Sequence, residues 1–310
     1  MKRIFVYEFL SGGGELAAGG DLLAIGQSMR DAIMADLLRL EHLEVTVATC
    51  SAASPVPAPA RRVAPEPGES AFDFVRRQAD AHDLAWVVAP ETDGVLARLH
   101  QGVAAERWIG CDGAAIALAS HKRKTARALA EAGIATPLAF EQAPEIKRWV
   151  VKPDDGAGAL ATRLHSDRHA ALDDGVARSR SGCPMTVEPW VEGAALSLSL
   201  LCGARQCELL SVNRQHLEID ADGALAFRGV EVNAIPLTDP RAATLDALAA
   251  RVHRAIAGLR GFVGIDLVWH PERGAVVIEV NPRVTCAYVG LSRALGRNLA
   301  AEVIACTLAR

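Results

Sequence analysis

The sequence predicts a chain of mixed class, an α/β domain with a parallel sheet followed by α+β structure. Three observations predict it. Strand-length apolar runs alternate with helix-period segments over residues 2–91, and such βαβαβ alternation signals a parallel sheet with flanking helices. Later runs come in pairs with short links, 196–202 with 207–213 and 262–269 with 275–281, as antiparallel hairpins do. Half of the 310 residues are hydrophobic, enough for large cores in about two or three domains.

Taken in order, KRIFVY (2–7) is a strand, and SGGGELAAGGD after it is a glycine-rich loop. Residues 22–40 carry apolar positions at helical spacing, and EVTVATC (44–50) is the next strand. The Pro/Ala-rich stretch 51–68 is read as an irregular surface connection. ESAFDFVRRQADAH is helical and LAWVVAPE (84–91) is a strand, so the first domain is placed at 1–112. Residues 112–137 form one long helical pattern, with Gly133 and Pro137 as stop signals. A strand and a glycine-containing loop span 148–164, and two strands with a short link span 185–202. A helix is expected at 239–258 and helical structure again over 290–309.

Composition excludes several function classes. A net charge of −4 gives no basic footprint for nucleic acid. The apolar runs are far shorter than a membrane span. MKRIFVYEFL is interrupted by Glu8 and lacks a cleavage site, so it is expected to be a first strand and not a leader. Seven scattered cysteines without a CxxC pair read as buried, reduced thiols of a cytoplasmic protein. Nine dispersed histidines give no zinc spacing.

Four stretches carry chemistry. In AVVIEVNPRV (275–284), Glu279 sits inside a hydrophobic strand, with Asn281 on the same side and Arg283 just beyond. If 262–269 pairs with 275–281, Asp266 approaches Glu279. Two buried carboxylates repel unless one is protonated or a cation lies between them. Carboxylate and amide oxygens suit Mg²⁺; the alternative is a buried acid paired with Arg283 or Arg273. In WVVKPDDGAGA (149–159), Lys152 ends a strand before a loop with Gly156 and Gly158. A lysine and exposed backbone N–H groups suit a phosphate; an ordinary turn with a surface lysine is the alternative. In SHKRKTARAL, Lys122 and Lys124 precede a helix whose N-terminus favours an anion; a solvated charge run is the alternative. In VEPWVEG (187–193), the Pro189 carbonyl and the Val191 N–H offer the acceptor–donor pair an adenine needs, unless the stretch is a simple bend.

The order of these features, Lys122, Lys152 with its glycine loop, the hinge 188–191, Asp266, Glu279 and Asn281, resembles the ATP-grasp superfamily over about residues 112–283. The resemblance implies an ATP-grasp fold behind an N-terminal Rossmann-like parallel-sheet domain. It implies a small subdomain at 113–186 and a C-terminal subdomain at 187–310. Lys122 and Lys152 would hold phosphates under the loop with Gly156 and Gly158. Glu188, Pro189 and Val191 would hold adenine. Asp266, Glu279 and Asn281 would bind two Mg²⁺ (or Mn²⁺) ions. Many members hold the ribose with a Glu past the hinge; Ala195 stands near that place, leaving Glu192 as a substitute. The implied activity is carboxylate–amine ligation through an acyl phosphate, with Arg283 and Arg214 as grips for its oxygens. A surface pair with Glu218 is the alternative for Arg214. Homodimers are common among similar ligases.

The N-terminal stretch YEFLSGGG…LLAIGQSMRDAIMADL resembles the tyramine–glutamate ligases of methanofuran biosynthesis. That implies glutamate and an aromatic amine as substrates, with Glu8 meeting an ammonium group and Ser11 opening the loop that shapes the pocket. The alternative is that SGGG only permits a tight β–α turn. Two other classes stay in view. A dinucleotide-binding oxidoreductase is disfavoured because the glycines do not fit G-x-G-x-x-G and Glu44 begins its strand rather than ending it. A nucleotide-binding regulator without turnover is disfavoured by the intact acid set.

Overall fold

The computed structural model describes residues 1–14 and 21–309. Residues 15–20 of the glycine-rich loop lie outside the described residues. The N-terminal part runs β1 (Lys2–Glu8), α1 (Asp21–Leu37), β2 (Leu43–Ala48), β3 (Arg61–Val63), α2 (Ala71–Asp80), β4 (Leu84–Val88), α3 (Val95–Gln101) and β5 (Trp108–Ile109). The strands form one parallel sheet in the order β3-β2-β1-β4-β5. Both faces are buried, which is why these strands read as unbroken apolar runs. Phe5 and Tyr7 pack with Phe74 on one face. Ile4 and Val6 pack with Ile33 and Met34 of α1 on the other. The chain leaves β1 in one direction and returns to β4 in the other, so a crevice opens at the carboxyl ends of β1 and β4. Glu8 closes β1 there, and Glu91 follows β4. The stretch 51–68 is not wholly irregular, since Arg61–Val63 pairs with β2.

The expected single helix over 112–137 is two, α4 (Gly113–Ala119) and α5 (Lys122–Glu131). The break has a tertiary cause. Asp154, from a distant loop, accepts from the Arg123 N–H at 3.0 Å and lies 3.1 Å from His121 Nδ1. The Lys122 N–H donates to the Asp154 carbonyl at 2.9 Å. The anion expected at this helix N-terminus is therefore the protein's own carboxylate. Burial alone would raise Asp154, but hydrogen bonds from Thr186, Arg123 and His121 hold it below the usual carboxylate range.

Next come β6 (Trp149–Pro153), β7 (Arg163–His165), α6 (Arg168–Arg180) and β8 (Met185–Pro189), with the strands in the order β7-β6-β8. The division expected between 186 and 187 thus cuts through β8, which pairs with β6 as far as Pro189. Then follow β9 (Ala194–Cys202), β10 (Cys207–Ile219), β11 (Leu225–Ile235), α7 (Pro240–Ala255), β12 (Gly261–His270), β13 (Gly274–Asn281), α8 (Leu291–Leu295) and α9 (Leu299–Leu308). These strands make an antiparallel sheet ordered β11-β10-β9-β12-β13. Both expected hairpins are present. The tip of the β10–β11 hairpin touches the small sheet, where the Leu164 N–H donates to the Gly223 carbonyl at 2.8 Å. One core joins the N-terminal sheet to the large one, running from Phe5 and Tyr7 to Leu198, Leu200 and Ile265.

Candidate active site

The antiparallel register of β12 and β13 sets Asp266 directly opposite Glu279 and Gly264 opposite Asn281. Side chains of a cross-strand pair lie on one face, so the two carboxylates meet. Asn281 Nδ2 donates to Asp266 Oδ2 at 3.2 Å. Gln215 Nε2, from β10, donates to Asp266 Oδ1 at 2.9 Å. Lys122 Nζ stands 3.2 Å from Glu279 Oε2 and also donates to the Gly156 carbonyl. Burial and the facing Glu279 push Asp266 well above its ordinary value. Burial acts on Glu279 too, but the charges of Lys122 and Lys152 outweigh it and hold that carboxyl at about 2. The facing carboxylates thus differ in kind, Asp266 raised by burial and by its neighbour, Glu279 lowered by the lysines.

Two carboxylates and an amide oxygen are hard donors suited to Mg²⁺ or Mn²⁺. Among the described residues no group of three or more His, Cys, Asp or Glu could hold a metal alone. The set at Asp266, Glu279 and Asn281 fits a cation that takes its remaining ligands from phosphate oxygens and water, the usual habit of Mg²⁺.

Lys152, on β6, meets Glu188, on β8, with Nζ 2.5 Å from Oε1 and both side chains buried. Lys122 contacts Glu279 directly, and the charge of Lys152 also acts on that carboxyl. The connection after β6 turns through Gly158 at φ +65°, a left-handed conformation that costs glycine little. Pro189 ends β8, and Val191 is buried against Phe140 and Val276. Two expected site residues are instead engaged at the surface. Glu192 pairs with the exposed Arg148. Arg214 lies 3.8 Å from Glu231, both about half exposed. Glu231 is its cross-strand neighbour, whereas Glu218 pairs with Arg228.

Arg283 is gripped by Glu91, with Nε and Nη2 each 2.9 Å from a different carboxylate oxygen. Glu91 comes from the N-terminal domain and is buried. It lines a small cavity with Ser120, Lys122, Gly156, Glu279 and Asn281. The Ser120 hydroxyl there is buried and has no hydrogen-bond partner among the described residues. Glu8 accepts from the Ser11 N–H at 2.8 Å, the Ser11 hydroxyl at 2.7 Å and the Leu10 N–H at 3.2 Å. Gly26 of α1 leaves it room, since a Cβ there would sit 2.6 Å from its carboxylate. Burial raises Glu8 above its ordinary value against these bonds.

Sequence reasoning missed Glu91, Gln215 and Ser120. Glu91 had one usable signal, an acid just past a strand of the parallel sheet. Gln215 had another, alternation with the buried Asn213 on β10.

Comparison with known proteins shows which family the chain matches. Residues 119–287 match the ATP-grasp domain family and residues 43–116 the pre ATP-grasp 3 domain. A protein named tyramine–L-glutamate ligase from Methanocaldococcus jannaschii is 30% identical over 211 residues, 67% of this chain and 58% of that protein. The protein of the same name from Methanocaldococcus fervens is 30% identical over 213 residues, 67% of this chain and 61% of its own length. The chain thus matches only about three fifths of these relatives. Among solved structures, an ATP-grasp superfamily protein from Archaeoglobus fulgidus has a TM-score of 0.73 at 22% identity, covering 98% of this chain and 88% of its own. An L-amino acid ligase from Bacillus licheniformis has a TM-score of 0.70 at 18% identity, covering 99% and 74%. These structural likenesses show the fold.

Proposed function

Because the chain belongs to the ATP-grasp family, we propose that it is an ADP-forming carboxylate–amine ligase that joins glutamate to tyramine or tyrosine. The observation behind this reading is the cross-strand pair Asp266–Glu279 with Asn281 beside it, Lys122 3.2 Å from Glu279 and the charge of Lys152 acting on that carboxyl. Asp266, Glu279 and Asn281 would hold Mg²⁺ or Mn²⁺, two ions in this reading, which supplies charge neutralisation at the β- and γ-phosphates. Lys122 and Lys152 would take phosphate oxygens, for which each must exchange its present carboxylate partner. The backbone around Gly156 and Gly158 would close over them. The Pro189 carbonyl and Val191 N–H would face adenine. Such a site positions and neutralises charge, which is most of what phosphoryl transfer requires. Arg283 would grip the acyl phosphate while the amine attacks its carbonyl carbon and phosphate leaves. A cytoplasmic setting belongs to the same reading, supported by seven free cysteines.

The glutamate and amine assignment draws on the two relatives that carry that name. One observation favours a second reading, ligation of another amino acid or a dipeptide. Glu8, the residue expected to meet an ammonium group, already accepts from Leu10 and Ser11 with both oxygens.

The test is ADP formation by purified protein with Mg²⁺, ATP and glutamate, with tyramine or tyrosine in separate reactions and mass detection of product. ADP with a glutamyl-amine is the expected result. ATP binding without ADP from either amine overturns the substrate assignment and leaves the nucleotide site standing.

A further inference from the structure

We propose that Glu91 is a positioning residue that fixes the Arg283 guanidinium for the transferred phosphoryl group, an inference that rests on the ligase reading above. A guanidinium has five N–H donors in a rigid plane. Glu91 takes the Nε edge with paired bonds at 2.9 Å, and the Val284 carbonyl takes one Nη1 donor at 3.2 Å. Among the described residues, two N–H groups remain without a partner, on Nη1 and Nη2. A bidentate grip on one edge fixes the plane and hence the direction of those two donors.

Glu91 is itself held from two sides. It follows β4 at the crevice of the parallel sheet and leads into a tight turn in which Asp93 and Gly94 are left-handed, at φ 54° and 65°. The Asp93 N–H donates to Asp155 Oδ2 at 2.9 Å, tying that turn to the glycine loop after β6. The 90–94 segment therefore touches Arg283 on one side and the expected phosphate cover on the other. Glu91 also lines the cavity that holds Lys122, Glu279 and Asn281. A carboxylate of the N-terminal domain thus sets the geometry of a group carried by the strand end after β13.

The experiment compares inorganic phosphate binding to the Mg·ADP-loaded wild type, Glu91→Gln, Arg283→Ala and the double variant. Glu91→Gln keeps the side-chain volume, and a thermal melt checks its folding. The expected result is a loss of phosphate affinity of about tenfold in Glu91→Gln, with Mg·ADP affinity within about twofold of wild type and no further loss when it is added to Arg283→Ala. A merely structural role would weaken Mg·ADP alongside phosphate. Unchanged or tighter phosphate binding in Glu91→Gln overturns the inference, because Glu91 then only competes for Arg283. Wild type that binds Mg·ADP but no phosphate overturns it too, whereas wild type that binds no Mg·ADP overturns the nucleotide site on which it rests.

Discussion

Two buried ion pairs flank the candidate site, and they are built in opposite ways. Lys152 and Glu188 sit on neighbouring strands of the small three-stranded sheet. Arg283 and Glu91 stand 192 residues apart and join the end of the large sheet to the crevice of the N-terminal one. The first pair forms wherever β6 meets β8. The second forms only when the domains assemble. Buried pairs of this kind contribute little net stability, yet losing one partner leaves an uncompensated charge and costs several kcal/mol. On the proposed reading, Lys152 is the cation that would pass to a ligand and Arg283 the one that stays with its carboxylate.

The largest expected effect lies between the two pairs. Glu279→Gln removes the acid on which the charges of Lys122 and Lys152 act, and turnover should fall by at least about a thousandfold with the fold retained. Normal Mg²⁺-dependent ADP formation by that variant would remove Glu279 from the metal set. Lys152→Ala tests the local pair. It strands Glu188 in a buried position, so urea unfolding should show a loss of about 3 kcal/mol or more. ATP affinity should fall by about tenfold as one charge-assisted contact disappears. Unchanged ATP affinity would leave Lys152 a structural partner only.

Glu8 sharpens the contrast from the other side, because it is a buried carboxylate held by N–H and O–H donors instead of an ion pair. Its folded value is raised above 4.5 by burial. A raised acid stabilises the fold below its unfolded value and loses that contribution as pH rises through the folded one. The stability of wild type relative to Glu8→Gln should therefore decline as pH rises from 4.5. Melting curves of both proteins across that range check it, and a constant difference would contradict the raised value.

What the sequence could carry follows the same division. Strand-length apolar runs and helical patterns located β1, α1, β2, α2 and β4 and both antiparallel pairs, because each is written in contiguous residues. The meeting of Asp266 with Glu279 was legible for the same reason, since a hairpin fixes its own register. The break between α4 and α5 was not, because Asp154 creates it from another part of the chain. Glu91 left only the trace of an acid just past β4, because its contact with Arg283 spans 192 residues. The resemblance implies Arg214 as a grip for oxygens; on β10 it lies half exposed near Glu231, while the neighbouring Gln215 donates to Asp266. One position along a strand reverses the face.

On the proposed reading, Asp266, Glu279 and Asn281 couple a divalent cation to bound nucleotide. Calorimetric titration of ATP into wild type and Glu279→Gln, with Mg²⁺ and with chelator, tests it most directly. The expected result is tighter ATP binding with Mg²⁺ in the wild type, and equal affinities with and without the metal in the variant. A variant that keeps the full Mg²⁺ dependence would contradict it.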